Sequence, residues 1–443
     1  MTTIHQRLAK HILADGLPVA IDLEKSKGSY LVDTDGNRYL DMFSMFASSP
    51  VGFNHPYFLE NKAQLTKASL NKLALSDIYS EEFADFVEAF ERVAMPKELS
   101  YAFFIEGGGL AVENALKAAF DWKTKLNFAK GIDKEAGKVI HFKEAFHGRT
   151  GYTLSLTNTK DPRKYMHFPK FDWPRIINPK LQFPLNEEHV QEAIKLEKEA
   201  IDQILAALKK YPDEIACLIL EPIQAEGGDN HFRKEFFKEL RNICDEYEIL
   251  LIFDEVQTGL GMTGKMWAYQ HYDILPDIIS FGKKSQVCGI MANRSKFDQV
   301  KNHVFVESSR LNSTFGGNLV DMVRFKLILE IFEKEKIVER SAILGKYLLD
   351  NLFALSSRKS EISNIRGLGL MVAFDLPSAA YRDQFIKKAF DHKLLFIGCG
   401  ERSIRFRPHL TVSNTELDTA LAIIANIIYS ENRLPQKEHF YDS

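Results

Sequence analysis

The sequence predicts an α/β fold, with a large domain built on a mostly parallel central sheet flanked by helices and a smaller α+β domain beside it. Three observations point there. Short apolar runs of strand length recur through the middle of the chain, as strands buried on both faces do. Between them lie longer segments with helical periodicity. The chain has 443 residues, 45% of them hydrophobic, enough for a large core divided between more than one domain.

In chain order, MTTIHQRLAKHILADGL is amphipathic and lacks the long apolar stretch of a signal peptide. GSYLVDTDGNRYLDM reads as a hairpin, its alternating apolar residues flanking a turn at Asp35-Gly36. The buried runs are YAFFI from Tyr101, KVIHF from Lys138, ACLIL from Ala216, ILLIF from Ile249 and DIISF from Asp277. KEFFKELRNICDEYE carries the helical period, with Phe236, Phe237, Leu240, Ile243 and Cys244 on one face. After Asn318 a long helical pattern runs to FAL, and RGLGLMVAFDLP and SIRFRPHL read as strands. The polar end, ENRLPQKEHFYDS, is expected to be loosely held. The domains are therefore expected at 56–318 for the large α/β unit and 319–443 for the small one, with 1–55 joining the small one.

Bulk charge narrows the function. Lys and Arg total 57 and Asp and Glu 60, a net charge of −3, which offers no basic surface for nucleic acid. No apolar run approaches the roughly 18 residues of a membrane span. Four scattered cysteines without a CxxC pair argue against a zinc or disulfide framework and fit a reducing, cytoplasmic setting. A small-molecule partner is expected.

In open α/β sheets ligands sit beyond the carboxyl ends of the strands, so the residues following each run matter most. After YAFFI, EGGGLAVENALK opens a helix on a glycine cluster, where bare backbone N–H groups suit a phosphate. Val112 spoils a dinucleotide GxGxxG, and GxxxxGK[ST] is absent, which disfavours a nucleotide-binding module. After KVIHF come Phe146 and His147, either of which could stack on a flat ligand, and Arg149, suited to a carboxylate. ACLIL leads into Glu221 and the loop residue Glu226. ILLIF leads into Asp254, a carboxylate with limited water that needs a cation or several donors, and then Gln257. DIISF leads into Gly282-Lys283-Lys284, where one lysine could reach the cleft and, in a partly dry site, form an imine.

Each feature alone has an ordinary structural explanation: a glycine-rich turn, core packing, a surface ion pair, a helix cap. Gathered at five strand ends they form the set that pyridoxal 5′-phosphate (PLP) requires. A lysine carries its aldehyde, an Asp keeps its ring nitrogen protonated, a helix start holds its phosphate and an aromatic covers one ring face.

LIFDEVQTGLGMTG followed by PDIISFGKK resembles the signature of the class III (ω-) aminotransferases, PLP enzymes of fold type I. The resemblance covers nearly the whole chain, through FHGRTGYTLSLT, EPIQAEGG, STFGGN and IRFRPHL. More narrowly, AVENALKAAFDWK, SLTNTK, FPKFDWPRI, FGKKSQVCG and SRLNSTFGGN are similar to the lysine ε-aminotransferase branch of that family. The resemblance implies that Lys283 is the lysine bonded to the cofactor and Lys284 a structural neighbour. It implies Asp254 as partner of the pyridinium, Gln257 near the ring hydroxyl and substrate, Phe146 as the stacking ring, and Gly108 and Gly109 as the phosphate cradle. Thr314 would reach the phosphate of the other subunit in a homodimer with its sites at the interface.

The same resemblance implies transfer of the ε-amino group of L-lysine to 2-oxoglutarate, giving 2-aminoadipate 6-semialdehyde, which cyclises to a piperideine carboxylate, and L-glutamate. Arg149 would hold the distal carboxylate in both half-reactions, and Arg405 the proximal carboxylate of 2-oxoglutarate. Glu226 would pair with Arg405 during the lysine half and release it for the other. Ornithine, 4-aminobutyrate or a related diamine is the alternative donor. A PLP-binding protein without catalysis would not need the two arginines. The chain departs from the family in having Gly107-Gly108-Gly109 where many members have Ser-Gly-Thr, so backbone N–H groups must hold more of the phosphate.

Overall fold

The computed structural model describes residues 3–358 and 361–431. The polar C-terminal stretch from Asn432 onward, expected above to be loosely held, lies outside the described residues.

The expected strands form, with additions. In chain order they are β1 (Tyr30–Val32), β2 (Arg38–Asp41), β3 (Tyr101–Ile105), β4 (Lys138–Phe142), β5 (Arg175–Ile176), β6 (Ile215–Leu220) and β7 (Leu250–Asp254). There follow β8 (Ile278–Phe281), β9 (Cys288–Ala292), β10 (Ser363–Leu368), β11 (Met371–Asp375), β12 (Leu394–Leu395), β13 (Ile397–Cys399) and β14 (Ser403–Phe406). A seven-stranded sheet runs β3-β9-β8-β7-β6-β4-β5. All of its pairings are parallel except the two made by β9.

The apolar runs are continuous because both faces of this sheet are covered. Leu250 and Ile252 pack with Val112, Leu116 and Trp122 of helix Gly108–Ala129, whereas Leu251 and Phe253 pack on the opposite side with Phe237 and Phe281. Successive residues thus enter different cores, and neither face can be polar. Helix Lys234–Glu246 buries the five residues that its periodicity predicts.

A four-stranded antiparallel sheet, β10-β11-β14-β13, lies in the last third of the chain. The N-terminal hairpin pairs β1 with β2 around Gly36 (φ 87°), and β12 adds in parallel to β2. The first and last parts of the sequence therefore share one sheet.

Local details differ from the sequence reading. The long helical pattern after Asn318 is two helices, Leu319–Glu335 and Ile337–Ser356, broken where Lys336 takes φ 48°. RGLGLMVAFDLP is a tight hairpin of two strands, β10 and β11, turning at Gly369 (φ 54°). All four cysteines are free and buried. Among the described residues no helix is long and apolar enough to cross a membrane.

Candidate active site

The carboxyl ends of β3, β4, β6, β7 and β8 open on one cleft of about 600 Å³. Nine of the ten sequence-predicted site residues line it: Gly108, Gly109, Phe146, Arg149, Glu226, Asp254, Gln257, Lys283 and Arg405. Thr314 does not. It sits exposed in the loop before helix Leu319–Glu335, its carbonyl accepting from Ser76 Oγ at 3.4 Å. Met45 and Phe46 also line the cleft.

At the floor, Asp254 is the last residue of β7. Its Oδ2 bonds His147 Nδ1 at 2.8 Å, and its Oδ1 accepts from Ser280 Oγ and Val256 N, each at 3.1 Å. An oxygen with one partner keeps an acceptor position, so Oδ2 can still receive a proton donor in the cleft. No helix follows Asp254; the chain enters consecutive turns, which places Gln257 in a turn rather than on a helix. Gln257 Nε2 donates to the Phe46 carbonyl at 3.2 Å.

The two lysines after β8 separate cleanly. Lys283 takes φ 51° in a short 3₁₀ turn and lines the cleft, where burial lowers its ammonium pKa although the Asp254 carboxylate opposes this. Lys284 is fully buried and donates to the Gln257 carbonyl at 2.7 Å. Burial and the neighbouring Lys283 charge hold its pKa well below the ordinary lysine value. Both lie beyond the end of β8, so the left-handed turn at Lys283, not alternation along a strand, divides them.

The helix that starts at Gly108 has no side-chain cap and no acidic residue in its first turn. Its first amides are therefore open to an anion. Close packing fixes the glycines: a Cβ at Gly108 would come within 3.0 Å of Val256, and one at Gly109 within 3.4 Å of Thr150.

The wall carrying Met45 and Phe46 is a left-handed turn. Ser44 to Ala47 all have φ between 39° and 63°, without a glycine. Such geometry costs about 1–2 kcal/mol per residue. Surrounding hydrogen bonds offset it: Asp41 Oδ1 accepts from Phe43 N and Ser44 N, Ser44 Oγ donates to Arg407 O, and Gln286 Nε2 donates to Ser48 O. Strain of this kind persists where its surroundings over-determine it.

At the mouth, Glu226 Oε2 accepts from Arg405 Nη2 at 2.9 Å and its Oε1 from Lys164 Nζ. Burial alone would raise the Glu226 pKa, but Arg405 and Lys164 hold it below the usual carboxylate value. The adjacent glycine packs tightly, since a Cβ on Gly227 would lie 2.4 Å from the Glu144 carbonyl. Arg405 is 2% exposed and, among the described residues, its Nε has no hydrogen-bond partner. Arg149 is exposed at the rim and, among the described residues, makes no ion pair.

Three further residues shape the site. His147, read from sequence only as a possible stacking ring, is the partner of Asp254 and is 2% exposed. Glu221 accepts from Phe146 N and Ala225 N, each at 3.0 Å, and burial pushes it up to about 7. Its place directly after a buried strand was the available signal. Lys164 had none, lying in a loop of unremarkable composition.

The family profile described as Aminotransferase class-III matches residues 13–428. An L-lysine-epsilon aminotransferase of Mycobacterium tuberculosis is 51% identical over 431 residues, covering 96% of this chain and 95% of that one. A protein of the same name from Streptomyces clavuligerus is 45% identical over 432 residues, covering 96% and 94%. The solved lysine aminotransferase of M. tuberculosis in its internal aldimine form superposes with a TM-score of 0.94 at 50% identity, covering 96% and 98%. With a lysine and a carboxylate at the floor of its cleft and a family match along almost its whole length, this chain belongs to the class III aminotransferases, enzymes of fold type I that use pyridoxal 5′-phosphate.

Proposed function

We propose that this enzyme transfers the ε-amino group of L-lysine to 2-oxoglutarate, giving 2-aminoadipate 6-semialdehyde, which cyclises to piperideine-6-carboxylate, and L-glutamate. The observation that carries this reading is the arrangement of charge at the mouth: Glu226 neutralises Arg405, while Arg149, among the described residues, has no ion pair. A lysine side chain reacting at its far end brings methylenes to the inner position and a carboxylate to the outer one. It needs one distant cation and no near one. 2-Oxoglutarate carries a carboxylate at both ends and needs both. Arg149 serves the distal group each time, and Arg405, with its unpartnered Nε, serves the proximal one once Glu226 lets go. Near-complete matches to proteins named for the lysine reaction support the donor.

The residues at the floor fit the cofactor. Lys283 would bond its aldehyde carbon and Asp254 would hold the ring nitrogen's proton. Phe146 would cover a ring face, Gln257 would meet the ring hydroxyl, and the Gly108 and Gly109 amides would take the phosphate. The partner subunit's Thr314 would complete the phosphate site in a homodimer. When bound, the cofactor supplies an electron sink for the substrate carbon. The Lys283 amine has a larger neutral fraction than an exposed lysine, because burial lowers its pKa. It would take the proton from the carbon bearing the amine and give it up at the cofactor's aldehyde-derived carbon, acting first as base and then as acid. The buried, unpaired cysteines fit a cytoplasmic setting.

The test is the visible absorption of the PLP-loaded enzyme on single additions of L-lysine, L-ornithine and 4-aminobutyrate. L-Lysine is expected to bleach the cofactor band fastest and 2-oxoglutarate to restore it. Faster bleaching by another amine would reassign the donor and leave the site standing. Absence of a band after adding PLP would remove the cofactor assignment.

A further inference from the structure

Glu226 is held by two cations rather than one. While Arg405 binds Oε2, Lys164 Nζ binds Oε1. Lys164 ends the short turn Pro162–Lys164, in which Arg163 folds back on Asp161 at 2.8 Å and Lys164 alone reaches the cleft. Its ammonium stands 6.0 Å from the Phe146 ring centroid, at the outer limit of a cation–π contact, so the Glu226 carboxylate is its principal partner.

A second cavity, of about 560 Å³, lies behind this pair, bounded by Arg382, the end of β13 and the turn at Gly400 and Glu401 among others. Lys164 and Glu226 are the two residues its lining shares with the active-site cleft, so their ion pair forms the partition between the spaces. Glu226 thus has somewhere to go without crossing the substrate's path.

The charges decide what Lys164 does. One carboxylate between two cations leaves a surplus positive charge, and the cations repel each other. When a substrate carboxylate takes Arg405, Glu226 must leave it. A largely enclosed carboxylate without a counter-charge is costly. With Lys164 present, two neutral pairs form instead: Arg405 with substrate and Lys164 with Glu226. The lysine therefore stabilises the released state more than the clamped one.

We propose that Lys164 is the second counter-ion of Glu226, keeping that carboxylate paired at the edge of the second cavity when Arg405 passes to the proximal carboxylate of the 2-oxo diacid, and so favouring the dicarboxylate half-reaction. Lys164 is a positioning residue acting through Glu226, and its role rests on the exchange reading given above.

The experiment measures the two half-reactions of the holoenzyme separately, through cofactor absorbance, as apparent second-order rate constants for L-lysine and for 2-oxoglutarate. In Lys164→Met the 2-oxoglutarate constant is expected to fall about tenfold further than the L-lysine constant, a loss between those of an exposed and a buried ion pair. Lys164→Arg keeps the charge and should bring the ratio back to within about threefold of wild type. In a Glu226→Gln background, Lys164→Met should no longer change the ratio, because the group it acts on is gone. Equal losses in both halves, or an asymmetry that persists in that background, would overturn the proposal. The single variant Glu226→Gln separates the two levels of failure. If it leaves the ratio at the wild-type value, the exchange reading falls and Lys164's role with it. If it shifts the ratio while Lys164→Met does not, the exchange stands and the role of Lys164 alone is refuted.

Discussion

The floor of the cleft and its mouth hold their charges in different ways. At the floor, Asp254, the last residue of β7, is fixed by His147, Ser280 and a backbone amide, and just behind the cleft Lys284 is fixed by a backbone carbonyl. Those contacts have one arrangement each. At the mouth, Glu226 is shared between two long basic side chains, and Arg405 has a buried donor to spare. That network has more than one way to be satisfied. The chemistry common to both half-reactions sits on the fixed part, and the recognition that must alternate between two substrates sits on the exchangeable part.

Substitutions at the floor should be severe and indifferent to substrate. Lys283→Ala removes the group that bonds the cofactor and moves the proton, and both half-reactions should fall about 10⁴-fold or more, seen as an unchanging absorption spectrum on mixing with either substrate. Asp254→Asn keeps the shape but not the charge and should lower both rates about 10²- to 10³-fold, measured by single turnover. Unequal losses in the two halves for either variant would break the contrast with the mouth.

The adjacent lysine should behave otherwise. Lys284 has no role in proton transfer in this account, and its signature lies in stability against pH. Its folded pKa is depressed below 10.5, so between the two values the unfolded chain binds a proton that the native chain does not. Stability relative to Lys284→Met should therefore rise as pH rises towards 10.5, followed by urea unfolding at several pH values. A difference independent of pH would mean that Lys284 keeps its proton in the fold.

The floor was the legible part of the sequence. Asp254 and Lys283 each follow an apolar run that can only be a central strand, so chain order alone places them at one edge of the sheet. The helix start at Gly108 was readable for the same reason. Partnerships across the fold were not. His147 and Asp254 are 107 residues apart, and nothing local to FHG distinguishes a ring that stacks from one that anchors a carboxylate. Backbone conformation was equally hidden. Ser44 to Ala47 and Lys336 adopt left-handed geometry without glycine; hydrogen bonds from distant segments, not local preference, hold the first, and the second is the break between two helices. The mouth was legible only in part: Arg405 and Glu226 came from a motif, whereas Lys164 lies in a loop whose composition carries no pattern.

The claim that the mouth exchanges partners is tested most directly by Glu226→Ala, with the L-lysine and L-glutamate half-reactions measured side by side. Removing the carboxylate strands Arg405 beside the methylenes of bound lysine but leaves it free for the proximal carboxylate of glutamate. The lysine half-reaction should fall about tenfold or more relative to the glutamate half-reaction. Equal losses in the two would contradict the account and make Glu226 an ordinary structural ion pair.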